Sequence, residues 1–115
     1  MDLESYTVVL MVLRADAPQL DDEQATALQD AHLAHLADLH DAGHLLAAGP
    51  LDDPEFRGLS ILRATPEEAR RLKEQDPAVK IGRFALRIIP WTVPAGAMAF
   101  TRTRFPRSVA EVRGG

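Results

Sequence analysis

An α+β fold built from two β-α-β halves is what this sequence predicts, and three observations lead to it. A run of β-branched and aliphatic residues from Tyr6 to Arg14 (YTVVLMVLR) reads as a strand. Two segments with helix-capping chemistry, opening at Asp21 and at Thr65, each stand between strand-like runs. The 115 residues, 46% of them apolar, amount to one domain with enough hydrophobic sequence to form a core without covalent staples.

The first strand presents Tyr6, Val8, Leu10 and Val12 on one side and Thr7, Val9, Met11 and Leu13 on the other. Both sides are largely apolar, as in a strand covered on two faces. After the loop ADAPQL a helix is predicted from Asp22 to Ala42. Asp21 with Gln24 resembles a capping box, Glu23 suits the positive end of the helix dipole, and Gly43 is the expected left-handed stop. At helical spacing Ala25, Leu28, His32, His35, Leu36, Leu39 and Ala42 share one stripe, while Asp30, Asp38 and Asp41 lie outside it. Leu45 to Ala48 is a short strand ended by Gly49-Pro50. The turn LDDPE leads to a second short strand, Leu59 to Leu62, completing a hairpin.

Thr65 as N-cap, Pro66 at the first helical position and Glu68 closing a capping box start a helix that runs to about Gln75. Asp76-Pro77 repeats that cap-and-proline form, with 77–80 a short helical turn and Gly82 its stop. Phe84 to Ile89 is the last strand, closed by Pro90, and Trp91 reads as an anchor pinning the tail to the body. The order β-α-β-β-α-β is the ferredoxin-like arrangement, a sheet with both helices on one face. Its other face is also apolar here, which predicts that a second copy covers it in a homodimer.

Composition excludes several classes of function. No cysteine is present, so a disulfide framework, a thiolate zinc site and a cysteine nucleophile are ruled out. No apolar run reaches the roughly 18 residues of a membrane helix, and the start MDLESYTVVL lacks a basic region, so a soluble cytoplasmic protein without membrane partners is expected. Residues 1–80 carry 7 Lys/Arg against 16 Asp/Glu, whereas residues 81–115 carry 6 against 1. An acidic body with one Trp and one Tyr argues against nucleic acid as a partner. Neither a dinucleotide-binding nor a phosphate-binding glycine loop occurs, and no cofactor is expected.

The stretches HLAHLADLHDAGHLLAAGPL, EEARRLKEQDPAVKIGRF and IIPW, in that order and spacing, resemble the YciI-like (YCII) family over about Tyr6 to Trp91. On that basis residues 1–91 form a YciI-like domain. Residues 92–115 fall outside the resemblance and are a basic tail for which three courses stay open: on its own body, on a partner subunit, or mobile. The resemblance implies a ferredoxin-like fold assembled as a dimeric α/β barrel. It also implies a histidine–aspartate centre, carried here by His32 in HLAHL and Asp76 in the DP step. One branch of the family resembles an enzyme that removes chloride from a chlorinated hydroxyquinol-type ring without a redox cofactor.

Read as chemistry, an imidazole within an apolar stripe needs a partner, because an unsatisfied buried polar group costs about 1–3 kcal/mol. An aspartate fixes its tautomer and raises its basicity, which suits proton abstraction from a carbon or a phenolic oxygen. The competing readings are a core histidine satisfied by backbone, and an Asp76 that only caps a helical turn. Gly49, Pro50, His35 and Ser60 are the candidate ligand-binding residues, with Gly49 allowing close approach to the backbone. The four histidines lack a completing acidic or thiolate set, so no metal site is expected. Two functions follow for a small-molecule ligand. One is an enzyme using His32 and Asp76 for proton abstraction with elimination or isomerisation on a small cyclic or aromatic hydroxylated compound. The other is a non-catalytic binding or interaction module in which the pair is structural.

Overall fold

Val9, in the middle of the β-branched run, is fully buried, and the fold is assembled around it. The computed structural model describes residues 1–114. Its elements are β1 (Leu3–Leu13), α1 (Asp22–Asp41), β2 (Leu45–Pro50), β3 (Phe56–Leu62), α2 (Pro66–Lys73), α3 (Pro77–Lys80), β4 (Phe84–Pro94) and α4 (Val109–Gly114). The strands form one antiparallel sheet in the order β2-β3-β1-β4, the ferredoxin-like topology expected from the element order.

Strand alternation sorts the side chains. Val9 lies opposite Ser60 on β3 and Ile88 on β4, and Met11 lies opposite Gly58 and Leu86, so these residues share the helix-covered face. There Val9, Leu36, Leu39, Leu45, Leu62 and Ala69 make the buried core, with Leu86 and Ile88 packed against it. The opposite face carries Val8, Leu10 and Val12 of β1, with Ile61 and Ile89 paired to Val8.

The caps form as local chemistry requires. Asp21 Oδ1 accepts the Gln24 N–H at 2.7 Å and Gln24 Oε1 accepts the Asp21 N–H at 3.0 Å. Gly43 ends the helix at φ +86°, a conformation that penalises any side chain with a Cβ. Thr65 Oγ1 accepts the Glu68 N–H at 3.2 Å. Glu68 does not return the bond and so does not complete a box; its Oε1 stands 4.0 Å from His44 Nδ1 instead.

Three expectations are corrected. Pro90 does not close the last strand, which continues to Pro94. β4 is an edge strand, and a missing N–H is tolerated where only one side of a strand is paired. Trp91 is not the tail's anchor: it pairs with Tyr6 on the open face and is 39% exposed. Ala42 is exposed, while Ala37 and His40 are buried in its place.

The reason for that last change is the tail. Beyond β4 the chain returns across α1, and the His40 ring stacks on Phe105 at 4.1 Å between centroids. The Thr103 N–H donates to His40 Nε2 at 3.2 Å, and His40 Nδ1 bonds the Leu45 carbonyl at 2.7 Å. Arg107 donates to Asp38 and to Asp41, both at 2.9 Å, and the Val109 N–H donates to Asp30 Oδ1 at 2.7 Å. The three aspartates outside the apolar stripe therefore receive the basic tail of their own chain. Among the described residues no helix is long and apolar enough to cross a membrane.

Candidate active site

The site begins with the local geometry of an Asp-Pro step. Proline disfavours helical backbone in the residue before it, and Asp76 takes φ −61°, ψ 126°, the extended form of an N-cap. Its Oδ1 then accepts the Ala78 N–H at 2.9 Å. This leaves Oδ2 directed away from α3, and His32 of α1 meets it with Nδ1 at 2.6 Å. Asp76 is completely buried, whereas the His32 side chain remains 16% exposed. The carboxylate thus serves as a helix cap and as a histidine partner at once, one oxygen for each task.

Two further titratable groups surround the pair. Lys73, on the last turn of α2, is fully buried with Nζ 3.7 Å from Asp76 Oδ2, within ion-pair reach but too far for a hydrogen bond. Burial pushes the Lys73 ammonium below its usual range, an effect that Asp76 only partly opposes. Burial alone would push the Asp76 carboxyl up. The hydrogen bond from His32, the charges of His32 and Lys73, and the Ala78 N–H together outweigh it and hold Asp76 below the ordinary carboxylate range. His35, one turn beyond His32, is pushed down by burial, and its Nε2 has no hydrogen-bond partner.

With Nδ1 committed to Asp76, His32 keeps Nε2 for the cavity that it lines, which has a volume of about 600 Å³. The wall from α1 is Ala25, Leu28, Gln29, His32, Leu33 and Leu36, a single helical stripe. The N-terminal half of α1 therefore overhangs the cavity while its C-terminal half packs into the core. Gly49, Pro50, Gly58 and Ser60 supply the wall from the hairpin, and Phe105, Val109 and Val112 of the tail close another side.

Of the residues singled out from sequence, His32, Gly49, Pro50 and Ser60 line this one cavity, with Asp76 directly behind His32. His35 does not line it: three residues along the helix it is half-buried, close enough to Asp76 and Lys73 to feel their charges. Gly49 has no positive φ, and a Cβ there would meet nothing within 4 Å, so packing within the protein does not require glycine at this position. The histidines disperse: His32 to Asp76, His40 to the Leu45 carbonyl, His44 toward Glu68. Among the described residues no group of three or more His, Asp or Glu side chains converges as metal ligands would.

Sequence reasoning missed Lys73, the tail wall and the arginines Arg57, Arg83 and Arg113, which also line the cavity. Lys73 had a weak signal, since it lies one helical turn after Ala69 and only three residues before Asp76. Nothing in the sequence separates these arginines from ordinary surface ones.

Among solved structures the chain is similar to 5-chloro-2-hydroxyhydroquinone dehydrochlorinase (TftG) from Burkholderia phenoliruptrix, whose structure is a complex with 2,5-dihydroxybenzoquinone. The identity is 25%, the alignment covers 75% of this chain and 90% of that one, and the TM-score is 0.49. No curated protein matches the sequence. The histidine of α1, the Gly-Pro end of β2 and the Asp-Pro cap of α3 all fall within residues 8–92, which match the YCII-related domain, and the chain belongs to that family.

Proposed function

We propose that this protein is a small-molecule enzyme in which His32 Nε2 takes a proton from a substrate held in the cavity. Asp76 holds the ring through Nδ1 and so fixes the tautomer that leaves Nε2 free to accept a proton. The observation that carries this reading is the 2.6 Å contact between His32 Nδ1 and a buried carboxylate, beside an apolar cavity of about 600 Å³. A volume of that size suits a one- or two-ring compound. Proton abstraction followed by elimination or isomerisation on a cyclic or aromatic hydroxylated substrate needs a positioned base, and His32 supplies one. The assembly we propose is a homodimer joined through the open face of the sheet.

The competing reading is a binding module with a structural pair. It is favoured by the second role of Asp76, whose Oδ1 caps α3 whether or not any chemistry occurs.

The test is turnover of a panel of hydroxylated cyclic compounds by the wild type and by His32→Ala. His32→Ala should fold, bind the turned-over compound and lose about 10²–10⁴-fold in rate, the usual contribution of a positioned base. Asp76→Asn alone leaves the Lys73 ammonium buried without its counter-charge, so it is made together with Lys73→Met. The double variant should keep the Ala78 cap through the amide oxygen and still lose rate. Binding without turnover by the wild type, or a His32→Ala variant as active as the wild type, overturns the enzyme reading.

A further inference from the structure

The protein carries 17 Asp and Glu against 13 Lys and Arg, yet no Asp or Glu lines the cavity. Three arginines do: Arg57 at the start of β3, Arg83 just before β4, and Arg113 in α4. Among the described residues none of the three forms an ion pair. Arg14, Arg70, Arg104 and Arg107, by contrast, each have a carboxylate within 4.0 Å. Arg83 instead has its guanidinium 5.2 Å from the centroid of the Phe84 ring, which holds the group without neutralising it.

We infer that the cavity takes a small organic carboxylate, its acid group bound by Arg57, Arg83 and Arg113 and its carbon skeleton lying along the α1 stripe. This deepens the function proposed above and rests on it for the claim that the occupant reacts. Arg57 and Arg113 are exposed and Arg83 is half-buried, so the three stand at the cavity's solvent-facing side, where unpaired like charges raise a positive potential that an anion relieves. A guanidinium fork matches a carboxylate with two parallel hydrogen bonds. Half of the remaining wall is Leu, Met, Val and Phe and most of the rest is Ala, Gly and Pro, so the occupant must also present apolar surface. A bare phosphate has none. Anchoring the acid end fixes which end of the skeleton reaches His32.

The test is calorimetric titration of the full-length protein with benzoate, its neutral analogue benzamide, and inorganic phosphate. Benzoate should bind at least about tenfold more tightly than benzamide, a difference of about 1.4 kcal/mol. Arg57→Gln and Arg83→Gln should each weaken benzoate by about tenfold and leave benzamide unchanged. Arg71→Gln, an exposed arginine of α2 outside the cavity, should change neither. Equal affinity for benzoate and benzamide, no measurable benzoate binding, or a benzoate affinity indifferent to Arg57 and Arg83, overturns the inference. Phosphate binding as tightly as benzoate also overturns it, since the site would then read charge alone. His32→Ala should retain the preference for benzoate. Arginine-dependent binding without turnover thus defeats only the enzyme reading, and turnover without arginine dependence defeats only this one.

Discussion

Lys73 places a charge where the protein has no water to solvate it, and the Asp76 carboxylate is what makes that position tolerable. Breaking one side of such a buried pair costs about 3–5 kcal/mol, because the remaining charge is left uncompensated. Three groups of this cluster titrate abnormally, and all bias stability in the same direction. Asp76 lies below its ordinary 3.8 when folded, so the stability it confers is complete above that value and is lost as pH falls through the folded one. His35 lies below 6.5 when folded, so between its folded value and 6.5 the unfolded chain holds the extra proton and stability falls as pH drops. Lys73 lies below 10.5 when folded, so stability rises with pH from its folded value up to 10.5. Urea midpoints should therefore rise with pH on a limb that ends at 6.5, where the unfolded histidine titrates, and again on an alkaline limb that ends at 10.5. His35→Gln should flatten the first limb and Lys73→Met the second. Limbs that survive both substitutions would show that other groups govern the pH dependence.

At the scale of elements, α1 performs two tasks along its length. Its C-terminal half contributes Leu36 and Leu39 to the core, and its N-terminal half forms one wall of the cavity. The tail joins them by laying Phe105 on His40 and Val112 against the cavity. Its attachment depends on specific acceptors: His40 Nε2 for the Thr103 N–H, Asp30 Oδ1 for the Val109 N–H, and Asp38 with Asp41 for Arg107. The Arg107 pairs are solvent-exposed, so salt should screen them, while the stacked Phe105 is insensitive to salt. His40→Ala removes both the stacking partner and an acceptor. Hydrogen exchange should then show the Thr103 amide losing protection while the β1 amides keep theirs. Unchanged Thr103 protection would mean that the tail is held without His40.

For the whole molecule the homodimer proposed above rests on the open face of the sheet. Val8 and Leu10 with Ile61, Ile89 and Trp91 form an apolar surface on the face opposite the buried core, and Ile89 and Trp91 are 37% and 39% exposed. The Tyr6 end is shielded, by Phe100 edge-on at 5.6 Å and by Arg63 over the ring. A face of this kind is ordinarily buried against a second copy. Light scattering should give a dimer at micromolar concentration. Ile89→Glu should shift it to monomer with the fold intact, because a charge is costly in an apolar interface and harmless in water. A wild type that remains monomeric rejects the dimer outright. The cavity lies on the helix side, so a monomeric variant that still binds benzoate would show that the pocket belongs to a single chain.

Much of this was legible from residues taken in order, because local rules determine local outcomes. Asp21, Thr65 and Asp76 cap helices through side-chain oxygens two or three residues from their targets, and Gly43 adopts the left-handed stop wherever the helix lies. The strand order follows from connecting four such strands with two helices on one side. The pairing of His32 with Asp76 is different in kind: 44 residues separate them, and family resemblance, not spacing, suggested it before the geometry did. Lys73 beside Asp76, the tail on the acidic flank of α1 and the convergence of Arg57, Arg83 and Arg113 on one cavity were decided by the tertiary structure alone. Chain order constrains neighbours within a few residues, whereas the meeting of three elements is set by how their apolar faces pack.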